Sequence, residues 1–364
     1  MNRSEAKPPA IGLDIGTSRI VAARQVDQNI QYDSQLNAFV TIPYSKMTAN
    51  VLSKEGVPHS IEGNEIVVHG NESERFADLL NKETRRTMTR GVLNSDEPDG
   101  VKLIRAITAA LAVKGEKGQK LCFTVPAPPL GAEENLTYHE ATLREILATL
   151  GYDVKSINEG LAVVYGELED TNYTGIGVSC GGGLCNVCFA YLSVPILSFS
   201  IPKAGDFIDA SAASVMGERA NRIRILKEQS FFLNGHFDDK LKQAVSVYYD
   251  DMIQSLVAGL RNAFQGARNI PKLAKPIPLV LSGGSALPKG FQLPELRQPR
   301  TAGDHVAVRE SGRRHRRGVP RARRADHRRQ RQPLQRDRWQ RDLSDADDRR
   351  RRPARARGKD RGPG

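Results

Sequence analysis

The sequence of 364 residues predicts an α/β protein of two duplicated lobes, each a βββαβα unit, followed by a tail that belongs to neither. Three observations predict it. Short β-like apolar runs followed by stretches of helical period occur once and then again, the pattern of repeated α/β units. A glycine turn follows the first β run each time, D-I-G-T-S at 14–18 and a triple glycine at 181–183. The apolar pattern then stops near residue 295.

The first lobe opens with β-like runs at 11–16 and 19–24, a third around 36–43 and a fourth at 66–69, with a short helix at 72–80. Val101, Ile104, Ile107 and Leu111 recur at three- to four-residue spacing, which predicts an amphipathic helix over 99–113. Residues 121–125 form a buried-type strand run stopped by Pro126, Pro128 and Pro129. A helix over 133–150 ends on Gly151, a fitting C-cap, and a strand at 154–157 leads into a helix from Glu159 to about residue 169. The pattern then restarts with β runs at 175–179, 184–192 and 196–201. Helices follow at 206–221 and 238–268, the second with Leu241, Val245, Tyr248, Met252, Leu256 and Leu260 along one stripe. A strand at 277–281 runs into Ser282-Gly283-Gly284-Ser285. The expected domains are a first lobe over 1–158, a second over 159–295 and an arginine-rich tail over 296–364.

Charge divides at the same boundary. The tail holds 24 basic and 9 acidic residues, a net of +15, so against a whole-chain +12 residues 1–295 carry −3. The basic balance therefore describes the tail and not the core. Four cysteines in so long a chain argue against a disulfide scaffold and for a reducing compartment. There is no apolar leader-type segment and no run of 18 apolar residues, so the expected location is the cytoplasm, with the inner face of the membrane as a contact.

A tight turn such as Asp14–Ser18 points successive backbone N–H groups into one concavity, which suits phosphate oxygens. Gly16 permits the backbone, Thr17 and Ser18 add hydroxyls, and Asp14 at the strand end can hold Mg²⁺ through water. An ordinary β-hairpin with an Asx-type turn explains the same five residues. Three further segments in order change that balance. IGLDIGTSR (11–19) resembles the first phosphate motif of the actin-like ATPase superfamily, and VKSINEGLAVVYG (154–166) resembles its first connecting motif. IGVSCGGGLCN (176–186) stands where the second phosphate motif belongs, and LVLSGGSALPKG (279–290) is similar to the adenosine motif. Within the superfamily, TMTRGVLNSDEPDG (87–100) and GERANRIRILKE (217–228) resemble segments of the MreB-type bacterial cell-shape proteins.

The resemblance implies an actin/DnaK-type ATPase fold around a nucleotide cleft, with ATP and Mg²⁺ as cofactors. It implies that Gly16, Thr17, Ser18, Gly181, Gly182 and Gly183 hold phosphates, and that Arg222 and Arg224 flank the nucleoside beside Gly283, Gly284 and Ser285. Asp14 is then the metal anchor and Glu159 the catalytic, water-orienting residue. Two positions depart from the family pattern: Ser179 stands for the acidic residue of the second phosphate motif and Leu184 for its threonine. Binding is expected to persist and hydrolysis to be weak or lost, because phosphoryl transfer depends on metal placement and a positioned water.

The role implied is a filament-forming cell-shape scaffold whose partners are copies of itself and membrane-associated cell-shape proteins. An actin-like adaptor of pilus assembly or cell division is the alternative. A phosphotransferase on the same fold would need an acceptor pocket with a catalytic acid, and no such motif is evident. Cys185 and Cys188 invite a metal reading, but three residues apart on a strand they face opposite sides. Small buried thiols fit better. For the tail, a nucleic-acid-binding arm, a disordered solvated segment and shifted-frame coding sequence compete, the last favoured by its abrupt onset. Nucleic acid is otherwise expected only as a non-specific partner of the tail.

Overall fold

The computed structural model describes residues 8–112, 115–116, 118–131, 136–233, 235–267, 270–271, 276–291 and 306–310. β1 (Ile11–Ile15), β2 (Arg19–Val26) and β3 (Asn29–Leu36) form an antiparallel meander. A small subdomain follows, with β4 (Ala38–Pro43), α1 (Lys46–Lys54), β5 (His59–Glu62), β6 (Glu65–His69), α2 (Asn71–Leu79) and β7 (Arg85–Arg86). Its four strands order as β5-β6-β4-β7. A two-stranded hairpin, β8 (Met88–Thr89) and β9 (Val92–Leu93), leads to α3 (Gly100–Ala112), β10 (Lys120–Val125), α4 (Thr137–Thr149) and β11 (Asp153–Asn158).

The second half repeats the scheme. After α5 (Glu159–Glu167) come β12 (Gly175–Cys180), β13 (Cys185–Tyr191) and β14 (Val194–Ile201), again an antiparallel meander. Then follow α6 (Gly205–Met216), α7 (Ala220–Ser230), α8 (Lys240–Gly266), β15 (Ile277–Ser282) and β16 (Val306–Glu310).

The two large sheets share one topology. The first reads β11-β10-β1-β2-β3 and the second β14-β13-β12-β15-β16, each with its meander joined through its first strand to two parallel strands. The duplication is therefore structural, and β16 takes the seat in the second sheet that β11 takes in the first. That strand lies eleven residues past the boundary expected at 295, so the fold draws on part of the tail. The remaining expectations for 296–364, disorder included, fall outside the described residues.

Each sheet buries one face against helices. Ile11, Leu13 and Phe123 pack with Ile104 and Ile107 of α3 and Leu143 and Ile146 of α4. Val178, Val187 and Leu279 pack with Ile208 of α6 and Met252 and Leu256 of α8. On its other face the second sheet takes α5 through Leu161, Val164, Cys188 and Val280. Gly160 and Gly177 make that approach possible, since a Cβ at Gly160 would lie 2.6 Å from the Cys188 nitrogen and one at Gly177 2.2 Å from the Gly160 carbonyl.

Two sequence expectations needed correction. The β run around 36–43 is not the third strand of the first sheet but β4, the centre of the small subdomain. The third strand is β3, an edge strand whose NIQYDSQL sequence is exposed over its first six residues, the alternating Ile30 and Tyr32 included, and buries only Leu36. The helix expected over 206–221 is two helices, α6 and α7, separated at Gly217, whose φ of +64° ends α6 in a left-handed C-cap.

Candidate functional site

The site forms where the two meanders present their first turns to each other. In the first turn the Gly16 N–H donates to the Arg19 carbonyl at 2.9 Å, a tight closure. Buried Asn37 fixes it from behind, its Nδ2 donating to the Gly16 carbonyl at 2.9 Å and its backbone N–H to the Ser18 carbonyl at 2.9 Å. In the second turn the Gly181 N–H donates to the Leu184 carbonyl at 3.0 Å. The Gly181 carbonyl accepts from the Ser285 hydroxyl at 2.8 Å and from the Gly205 N–H at 3.1 Å, tying this turn to the 283–285 segment and to α6.

The glycines let the two turns touch. A Cβ at Gly182 would lie 2.9 Å from the Ser18 Cβ and 3.2 Å from an Asp206 carboxylate oxygen. One at Gly183 would lie 2.4 Å from the Thr17 hydroxyl. Thr17 is buried and its hydroxyl already accepts the Gly91 N–H at 3.0 Å, which ties the first turn to the β8–β9 hairpin of the same lobe. Leu184 packs into the same junction, its Cδ1 within 2.4 Å of where a Gly91 Cβ would stand.

Below the turns lie the acids. The Thr124 hydroxyl donates to Asp14 Oδ1 at 2.6 Å, and Asn186 Nδ2 donates to Glu159 Oε2 at 2.9 Å. Asn186 is itself fully buried and accepts the Ala127 N–H at 2.8 Å, so its orientation is fixed. The Ser179 hydroxyl also bonds Glu159. Enclosure by protein, with the Asp14 charge beside it, pushes the Glu159 carboxyl up to about 8. Asp14 is raised too, by the same enclosure, against the lowering effect of the Thr124 bond. Asp14 is nonetheless exposed to solvent, which partly hydrates its charge. Asp14, Glu159 and Ser179, three positions far apart in sequence, thus meet at one place.

The expected nucleoside-side arginines have other partners. Arg224 is buried on α7 and pairs with Glu74 of the small subdomain and, at 3.0 Å, with Glu228, which also takes Arg19 at 3.2 Å. Arg222 is exposed and pairs at 2.7 Å with Glu218, in the link just before its own helix. Gly283, at φ +91°, is required by strand packing, because its Cβ would lie 2.3 Å from the Cys180 carbonyl. Gly284 faces open space, with nothing within 4 Å of its Cβ position.

Sequence reasoning missed Asn37, Arg86, Thr124, Asn186 and Lys227. Arg86 Nη1 donates to the Thr17 carbonyl at 3.2 Å and its Nη2 lies 3.9 Å from Asp206. Buried Lys227 joins Asp209 at 2.8 Å and the Gly205 carbonyl at 3.0 Å. Asn186 carried a usable signal, a lone amide inside the apolar run CNVCFA; the others look like ordinary surface residues.

The family model of Volactin matches residues 10–298. The chain belongs to the Volactin family. No curated protein matches it in sequence. Among solved structures, this chain is similar to a MamK double helical filament, at TM-score 0.58 and 17% identity over 83% of this chain and 94% of that one. It is similar to MreB 5 of Spiroplasma citri bound to AMPPNP, at TM-score 0.58 and 13% identity over 84% of this chain and 92% of that one. The fold is thus the actin-like ATPase fold, of the type seen in MreB proteins. Among the described residues, no cluster of three or more His, Cys, Asp or Glu could hold a metal, and no helix is long and apolar enough to cross a membrane.

Proposed function

We propose that this chain binds Mg-ATP between its two lobes, divided at residues 158 and 159, and assembles with copies of itself as a cell-shape scaffold that hydrolyses ATP weakly or not at all. The observation that carries the reading is the meeting of two equivalent glycine turns, one from each duplicated sheet, directly above the Asp14–Glu159 pair. The MreB 5 structure holds AMPPNP and the MamK structure is a filament, which supports nucleotide and self as the ligands here.

The residues present fit a magnesium ion. Mg²⁺ keeps most of its water and takes one or two carboxylates plus phosphate oxygens, so it needs no closed protein cage. Asp14, oriented by Thr124, would hold it with Glu159 nearby, and the two carboxyls raised by burial mark a site short of positive charge. When bound, the ion would neutralise phosphate charge and that of Asp14.

The chain's own residues argue for slow turnover. Glu159 with its carboxyl near 8 is protonated at neutral pH and accepts no proton from water until the charge beside it is offset. Ser179 gives Glu159 a hydroxyl partner in place of a second acid, and Leu184 fills the inter-lobe junction with an apolar side chain in place of a hydroxyl.

Calorimetry with ATP, with and without Mg²⁺, tests the binding claim, and sedimentation with AMPPNP tests assembly. Binding without assembly would favour the adaptor role. No binding at millimolar Mg-ATP would remove the nucleotide reading.

A further inference from the structure

Beyond nucleotide binding, the second glycine turn is closed at its base by two cysteines. Cys180 ends β12, Cys185 begins β13, and the two are direct partners in the antiparallel register. The neighbouring pair, Gly181 and Leu184, exchanges a hydrogen bond at 3.0 Å. Hydrogen-bonded and non-hydrogen-bonded pairs alternate along an antiparallel ladder, so Cys180 and Cys185 form a non-hydrogen-bonded pair. In such pairs the Cα atoms stand about 4.5 Å apart with side chains on the same face, which lies within the range a disulfide spans, near its short end. Both cysteines are free thiols, both fully buried, and each thiol is in hydrogen-bond contact with the other. Cys185 Sγ also donates to the Lys203 carbonyl at 3.4 Å.

The remaining cysteines are placed differently. Cys188 faces the opposite side of β13, packed against α5 with Leu161 and Val164, and Cys122 is exposed on the first sheet. Only one pair is preorganised.

We propose that Cys180 and Cys185 are a reversible dithiol–disulfide pair that, when oxidised, stiffens the second glycine turn. The co-reactant is a small disulfide such as oxidised glutathione. One thiolate attacks it to give a mixed disulfide and releases one thiol, and the partner thiolate then displaces the second. Two S–H bonds are lost, one protein S–S bond forms, and the two protons end on the two released glutathione thiols. The hydrogen bond with Cys180, and then burial, keep the Cys185 thiol protonated, and the cysteine pair lies one rung below Gly181 and Leu184, so the reaction waits on local opening of the turn. A short cross-strand link of this kind closes little chain, and a bond at the short end of the Cα range is readily reduced, as suits a reversible one.

The test treats the full chain with oxidised glutathione under native conditions and follows mass, before and after dithiothreitol. The expected result is loss of two hydrogens, reversed by reductant. The loss should persist in Cys122→Ser and Cys188→Ser and vanish in both Cys180→Ser and Cys185→Ser, with circular dichroism confirming that each variant is folded. Amide exchange should slow across Gly181–Leu184 in the oxidised protein. The proposal fails if Cys122 is modified while no internal disulfide forms, or if the mass loss survives Cys180→Ser. Unchanged exchange in the oxidised protein would overturn the stiffening. None of these readouts uses nucleotide, so failure of the ATP reading would leave this result standing, and the reverse.

Discussion

Replacing Glu159 by Gln removes a titrating group while keeping an oxygen that accepts from Asn186 Nδ2. The folded-state carboxyl sits at about 8 against an ordinary 4.5, because the enclosed site disfavours the charge and the Asp14 carboxylate repels it. Its folded value lies above its unfolded one, so ionising Glu159 works against the fold. The cost is absent well below pH 4.5, grows as pH rises past that value, and levels off above about 8. At about 1.4 kcal/mol per pKa unit, the gap from 4.5 to pH 7 corresponds to about 3 kcal/mol, an upper figure because Asp14 shares the proton. Near pH 5 it is below about 1 kcal/mol. Urea unfolding of both proteins from pH 5 to 8.5, without nucleotide or metal, should therefore show Glu159→Gln gaining about 2–3 kcal/mol on the native protein as pH rises. Curves that stay parallel across that range would refute the coupled-acid description of the site.

Three other outcomes are expected. Asp14→Ala should cost Mg-ATP affinity by calorimetry, at least about tenfold, and should make the remaining binding insensitive to Mg²⁺; unchanged Mg²⁺ dependence would displace the metal from Asp14. Gly283→Ala should lower stability by about 2 kcal/mol or more, since its Cβ meets the Cys180 backbone at a left-handed φ, whereas Gly284→Ala should fold normally and weaken nucleotide binding alone. Arg224→Met should cost about 2 kcal/mol, because it strands Glu74 and leaves Glu228 to Arg19 alone, both partly solvated, and in a thermal shift assay Glu74→Gln should add little to it.

Much of the architecture was legible because it follows from local rules. Val101, Ile104, Ile107 and Leu111 at helical spacing gave α3, and the stripe from Leu241 to Leu260 gave α8. β3 was not legible, since an exposed edge strand buries too little to impose a pattern, and its polar sequence resembles a loop. The break between α6 and α7 was carried by Gly217, a residue that a helical window tolerates and only its left-handed φ turns into a stop. β16 was hidden by its setting: VAVRE is a short run inside arginine-rich sequence, and a parallel strand becomes recognisable through β15, its neighbour in space.

The sequence by itself determined the two glycine turns, the placing of Asp14 at a strand end and of Glu159 at a helix start, and the duplicated order of strands and helices, because each depends on residues within one turn or one period. Only the tertiary structure decided what those residues meet. The Asp14 charge helps raise Glu159 across 145 positions of sequence, Arg224 is taken up by Glu74 of the small subdomain, and Gly283 is held to glycine by the Cys180 backbone. Charge coupling and steric exclusion act through space over a few ångströms, and distance along the chain carries no record of which residues will come that close.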